Sequence, residues 1–538
     1  MTFTEDRFAA IPWQGVHRET MMTSSAWGKQ GRARLRNVLA GLLAGASLMA
    51  GATATFAQAP ADMAAEQVLR LGLPYEPPRI SAFGDLGAAG FFTFTMIHRG
   101  LVSFNAEGKL VNALAESIDT ADQQNFTVKL REGLKFSDGS PLTAENVKAS
   151  LLHWAKPDVA SHAYAGLKDI DTIDVADDRT LTIHLKQVNA SFVEYLADPA
   201  AAIVTDAAMQ DANASNQIGA GPFVLASWDK GISMTFEKNP NYWDAANVHL
   251  ERLDGTLYTD ATARLNALYS GDVDFIDVVP WQSFDQIAGT PGLVMDEASA
   301  NFQYVMFNVA VKPFDNPLVR EAVAYAINRD NSIKAAFYGH GRTLYGPLNG
   351  QEDTNLWTYE PEKSKQLLAE AGITAPINAK FLTIGGHFYQ DIALSLQADL
   401  KAVGINIELD APDVATRNQR TIEGDYEITM NGAFMTVSDP LAYLPTLVSG
   451  PPSMSRSVGY DNPALNNAFE EGFRSADPAV RKAKLDEALA ILKTDVPVAF
   501  FNTRNAGYAY SDRLKGFAAL DNIAPYSAYT LEHAYLAQ

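Results

Sequence analysis

The stretch DIALSLQADLKAVGINIEL, Asp391–Leu409, constrains the fold more than any other. Its apolar residues recur at helical spacing up to Gly404, and directly beyond it Ile405, Ile407 and Leu409 alternate on one face of a strand. A helix passing into a strand through one glycine is a unit of α/β architecture. Other segments obey the same grammar. FTVKL places Phe126, Val128 and Leu130 on one face, and TLTIHL does so with Leu181, Ile183 and Leu185. NPLVREAVAYAINRD predicts a helix with Asn316 as N-cap, Pro317 at the first position and Val319, Ala322, Val323, Ala326 and Ile327 on its apolar face. PEKSKQLLAEAG predicts a short helix from Pro361 to Gly372, and a long one runs from Pro478 to Pro497.

A chain of 538 residues exceeds what one hydrophobic core supports, so two or more packed units are expected. The N-terminal order is basic (Lys29, Arg32, Arg34, Arg36), then apolar (Val38 to Ala54), then small, which reads as a secretory signal peptide over residues 1–57 cut after Ala57. Residues 1–28 are long and mixed for its basic region, so Met21 or Met22 is the expected start. The alternative, a membrane anchor, would rest on a Gly/Ala-rich run barely long enough to span. With no cysteine there is no lipid attachment site, disulfide framework or Cys-based metal site, and the expected destination is the periplasm. The formal net charge of −21 opposes nucleic-acid binding. Residues 1–57 hold more basic than acidic residues, so the exported chain is more acidic still.

No catalytic constellation stands out. The chain has no G-x-S-x-G elbow, H-E-x-x-H helix, Walker A loop or EF-hand loop, so no catalytic residue, metal or cofactor is assigned. GAGPF (Gly219, Gly221) and GHGRTL (Gly339, Gly341) lack the third glycine of a dinucleotide fingerprint and read as turns. His340 and His387 have no second ligand at helical spacing. Aromatic residues gather in the middle of the chain: Trp281, then Phe302 and Tyr304 on one strand face, then Phe388 and Tyr389. Core packing explains any one of them, whereas an aromatic face at a domain boundary is where a ligand cleft is expected.

The segment NALAESIDTADQQNFTVKLREGLKFSDGSPLTAENV resembles the signature of the family 5 extracellular solute-binding proteins, the dipeptide, oligopeptide and nickel receptors of ABC importers. GAGPFVLASWDKGISMTFEKNPNYW, ATARLNALYSGDVDF and FNVAVKPFDNPLVREAVAYAINRD resemble its further blocks, in order, and the likeness runs from about Leu69 to about Phe517. The resemblance implies a two-lobed periplasmic-binding-protein fold of class II type. Lobe I would take residues 60–300, with an extra subdomain, and the return segment 506–538; lobe II would take residues 301–505. It also implies a monomer that captures a small-molecule or peptide ligand by hinged closure and docks on an inner-membrane ABC permease, with chain crossings near Phe302–Asn308 and Phe500–Asn505. A periplasmic hydrolase is the alternative of another class, which turnover of a substrate would reveal.

In the dipeptide branch, the resemblance implies an aspartate for the peptide ammonium and an arginine for its carboxylate. Thr436 and, counting back from Gln397, Thr383 stand at those positions here, while Asp439 matches a neighbouring structural Asp-Pro. Threonine supplies hydrogen bonds but no charge, so strong recognition of a free zwitterionic dipeptide is not expected. A longer or modified peptide, a sugar-like solute on Trp281, Tyr304 and Phe434, and a nickel chelate near His387 remain open. The candidate ligand residues are therefore Trp281, Phe302, Tyr304, Thr383, His387, Phe434, Thr436 and Asp439.

LREGLKFSDGSPLTAENV, for all its acids and serines, reads as scaffold: a strand end at Leu130, a turn over Ser137–Pro141, and a helix capped by Thr143. Replacing Asp138 with alanine is expected to lower the melting temperature and leave ligand affinity unchanged. Lost affinity at an unchanged melting temperature would place the cleft here instead.

Overall fold

The computed structural model describes residues 60–77, 87–159, 161–210, 217–347, 356–386, 388–433, 437–451 and 453–538. The expected signal peptide, His387, Phe434 and Thr436 lie outside them. Two long antiparallel strands, Leu293–Phe307 and Val498–Ser511, lie at the centre of an 11-stranded sheet. Outward from Leu293–Phe307 come Ile428–Ala433, Ile377–Leu382 and Ile405–Asp410, the last two parallel. Outward from Val498–Ser511 come Phe275–Ile276, Val68–Leu73, Arg252–Leu257, Ser233–Lys238 and Phe223–Asp229. Gly341–Thr343 pairs with Val498–Ser511 off this path.

The ladder between the long strands slips twice. Ser299 faces Asn505 but Phe302 faces Thr503, leaving one extra residue in the first strand; Gln303 faces Asn502 but Tyr304 faces Phe500, leaving one extra residue in the second. Paired bulges of this kind bend a ladder and raise its twist. Core membership changes at the same place. Phe302–Phe307 and Val498–Phe501 pack into a core that also takes Ile405, Leu396 and Val323, whereas Tyr510 joins a core built from residues such as Leu69, Phe223, Trp154 and Tyr529. A smaller cluster of Leu268, Val273, Ile276, Phe284 and Ala509 sits beside the latter half.

The signature stretch folds as scaffold. Gly139 takes φ +84, Ser140 donates its backbone N–H and hydroxyl to Asp138 Oδ1 at 2.9 and 2.6 Å, and the Thr143 N–H donates to Asn146 Oδ1. The helix Ala144–Trp154 then buries Val147, Leu151 and Trp154 against a four-stranded antiparallel sheet and its surroundings. Gly219 and Gly221 permit a close approach: a Cβ on either would lie 2.2 Å from the Ile97 carbonyl oxygen or 2.5 Å from its carbon.

One expected helix divides in two. Pro317–Ala326 ends where Ile327 turns extended (ψ 116), and Asn328 caps a second helix, Arg329–Phe337, by accepting from the Asn331 N–H. Asparagine favours such caps over helix interiors, and the apolar spacing of the first helix ends one residue before it, at Ile327. Arg320, from the same family-like block, donates to the carbonyls of Asp495 and Val496 and so closes the end of the helix Pro478–Asp495.

The chain's last residues are fastened into the first core. Arg99, fully buried, pairs with Glu532 at 2.7 Å; Tyr242 Oη donates to the same carboxylate at 2.5 Å, and Tyr529 lies 4.8 Å from the guanidinium. Removing one charge of a buried pair strands the other, at a cost of about 3–5 kcal/mol. Glu532→Gln is therefore expected to destabilise the protein by that amount in chemical denaturation, and a loss under about 1 kcal/mol would show that the pair is solvated.

Candidate functional site

The helix Ala261–Ser270 is capped by Asp260 and ends at Gly271, in the left-handed conformation. Its Arg264 donates to the carbonyls of Tyr258 and Val278 at 2.7 and 2.9 Å. Val278 sits at φ +49, a strained conformation for a β-branched residue. Arg264 on one side, and the Val279 N–H donating to the Gly507 carbonyl on the other, hold it there. This clamp sets Asp277 in the wall of a cavity of about 660 Å³ at the junction of the long strands and the two main cores. Burial pushes the Asp277 carboxyl up to about 6, against the pull of Arg264, and its Oδ1 is buried without a hydrogen-bond partner.

Arg504, on the second long strand between the bulges and Gly507, lines the same cavity. Its guanidinium lies 5.7 Å from the Trp281 ring and 5.1 Å from the Phe388 ring, and its Nε has no hydrogen-bond partner. Burial lowers its pKa, and the groups that oppose this are tyrosines, Tyr389 and Tyr75, with no carboxylate among them. Trp281 Nε1 donates to the Asn505 carbonyl at 2.8 Å, and its ring meets Phe337 and Phe388 edge-on at 4.9 and 5.5 Å. Phe388 comes from the start of a second-core helix, Phe388–Ala402, whereas Phe91 and Phe92 come from Gly87–Ile97 on the first core. Both cores thus contribute to one cavity.

Of the sequence-predicted residues that are described, only Trp281 lines it. Phe302 and Tyr304 do share a face, 5.8 Å apart, but both are buried in the second core: Phe302 packs on Tyr443 and Phe500, and Tyr304 Oη donates to the Ser455 carbonyl. Thr383 is fully buried, its hydroxyl donating to the Tyr389 carbonyl at 3.1 Å. Asp439 caps the helix Pro440–Tyr443 and pairs with Arg481. Positions 387, 434 and 436 fall outside the described residues. Sequence reasoning missed Asp277 and Arg504, although Asp277 stands four residues before Trp281 and Arg504 lies within the expected second crossing. His340 lies outside the cavity wall, with Nδ1 3.3 Å from Glu297.

The family model for bacterial extracellular solute-binding proteins, family 5 Middle, matches residues 109–455, more than half of the chain. The chain belongs to this family. A glutathione-binding protein, GsiB, of Pectobacterium atrosepticum is 28% identical over 91% of this chain and 98% of its own. Among solved structures, AgaA of A. tumefaciens in complex with agropinic acid is 30% identical, with a TM-score of 0.76 over 88% of this chain and 99% of that one. DppA from Helicobacter pylori with a bound peptide, at 22% identity and a TM-score of 0.72, shares the fold. The architecture is the two-lobed α/β fold of periplasmic binding proteins, and the function is that of a solute-binding receptor for an ABC importer, not an enzyme. Among the described residues no helix is long and apolar enough to cross a membrane.

The two cores also meet away from the long strands. The Ser438 N–H and hydroxyl donate to Glu194 at 2.7 and 3.0 Å, Ser191 donates to Asp439 at 2.6 Å, and Arg474 pairs with Asp169 at 2.7 Å while donating to the Val188 carbonyl. Burial in this contact pushes the Glu194 carboxyl from 4.5 up to about 7, with Asp439 adding to the rise and the Ser438 donors opposing it. The contact therefore binds a proton more tightly than a solvated Glu194 would. Its stabilisation is full below about pH 4.5 and is lost as pH rises through about 7. Small-angle scattering of the ligand-free protein is expected to show a smaller radius of gyration at pH 5 than at pH 8. Glu194→Gln should remove that difference; an unchanged pH response in the variant would assign it to another group.

Proposed function

We propose that this receptor works in the periplasm as a monomer, after removal of residues 1–57, and captures a compact peptide-like solute in the cavity beneath the long strands. The observation that carries this reading is the cavity itself, whose walls come from both cores. A solute touching both walls favours the closed arrangement by its differential affinity, and a permease can sense that arrangement without any chemical step. At about 660 Å³ the space suits a compact, peptide-sized small molecule better than a long peptide. The ligands in the names of its relatives, glutathione and agropinic acid, agree with that scale and support an amino-acid-derived solute.

Residues 60–300 with 506–538, and 301–505, would be the moving lobes, with the two bulges between Ser299 and Asn505 as the hinge. Trp281 and Phe388, which meet edge-on at 5.5 Å, would form one aromatic wall beside the solute. Native mass spectrometry of the chain purified without denaturation, paired with small-angle scattering, tests this. The expected result is a bound compound of less than about 1 kDa, a size such cavities hold, which is recovered unchanged and contracts the protein when added back. Conversion of the compound, or binding without contraction, would overturn the reading.

A further inference from the structure

We propose that the cavity selects a compact zwitterion, with Arg504 taking a carboxylate of the solute and Asp277 its ammonium group. The inference rests on the receptor reading and narrows its ligand class. Two oppositely charged side chains line one cavity, yet no ion pair joins them and neither has a counter-charge within hydrogen-bonding reach among the described residues. Each is held as though its partner came from outside. The rings of Trp281 and Phe388 flank the Arg504 guanidinium and leave its Nε unpaired, a geometry that presents a planar donor fork to a carboxylate.

Asp277 stands beside a strained residue and lacks a hydrogen-bond partner at one oxygen. Its neighbour Val278 is kept at φ +49 by the Arg264 clamp, while Oδ1 points at no donor. An arriving ammonium supplies the missing donor and favours the charged form of a carboxyl that burial disfavours. This resolves the puzzle of Thr383, which is buried and donates to the Tyr389 carbonyl, so that position holds no charge for the ligand. Here the charges stand instead on the second long strand and on the loop after Phe275–Ile276. A neutral sugar would leave both side chains unpaired, which a site of this kind penalises.

The test is a calorimetric titration of the whole mature chain with glutathione, alanylglutamine, their carboxyl esters, their N-acetyl forms, and maltose. The expected result is binding by at least one zwitterion, weakened roughly 10- to 100-fold by esterification. Arg504→Gln should cause a loss of the same size and erase the difference between acid and ester, while Arg504→Lys recovers part of the affinity. Asp277→Asn should erase the difference between free and acetylated amine. Without ligand, Arg504→Gln is expected to melt no lower than the parent, since it removes an uncompensated buried charge. A drop in that melting temperature would make the guanidinium structural and overturn the assignment. Equal binding of acid and ester, unchanged affinity in Arg504→Gln, or a panel in which only maltose binds or nothing binds would overturn it too. Maltose binding with contraction would leave the receptor reading standing; breakdown of any probe would remove the receptor reading as well.

Discussion

The antiparallel pairing of Leu293–Phe307 with Val498–Ser511 is the interaction on which the rest of the molecule depends. It is the only ladder whose two ends belong to different main cores among the described residues, so the backbone hydrogen bonds that build the sheet also join its halves. The extra residue in each strand falls where side chains change allegiance, between Ser299 and Phe302 on one and between Asn502 and Phe500 on the other. A regular ladder there would be stiff. Two offset bulges keep the connection while locally relaxing its register, which is what a bending element between two rigid cores needs.

The cavity inherits its chemistry from that junction. Arg504 is fixed by the strand's own pairing, with its carrier segment hydrogen-bonded to Gly341–Thr343, and Trp281 is tied to the same strand through the Asn505 carbonyl. Asp277 reaches the wall through a different device, the Arg264 clamp on a strained loop. The far contact, Glu194 on Ser438 and Ser191 on Asp439, is made of exposed or half-buried hydrogen bonds. Bonds of that kind contribute little individually and are readily exchanged for water, so they suit a contact that must part and re-form.

Much of the fold was legible because local signals and burial agreed. The run Asp391–Leu409 gave its helix, glycine and strand, and Asn316–Pro317 gave a helix start, since caps and apolar spacing are properties of neighbouring residues. The helix stops just where its apolar spacing ends, at Ile327, because the Asn328 side chain offers the backbone a new cap. The site was far less legible. Phe302 and Tyr304 lie on one strand face as expected, but which face meets solvent depends on what packs across it, here Tyr443 and Phe500 from distant sequence. Arg504 and Asp277 are separated by more than two hundred residues, and only the sheet brings them to one wall. The strain at Val278 leaves no compositional trace.

The Arg99–Glu532 pair has a consequence for how the molecule is made. The strand Val498–Ser511 is inserted between Leu293–Phe307 and Phe275–Ile276, and the residues after it seal Arg99 beneath Tyr529 and Glu532. For a chain that emerges amino terminus first, the sheet's middle and the buried guanidinium of its earliest core both await the final residues. The early segments are thereby kept from completing themselves ahead of time, and contacts of such long sequence separation close slowly. Completion of the amino-terminal core is thus coupled to the arrival of residues 433 positions later in the chain, so that local folding alone leaves its buried guanidinium without a counter-charge.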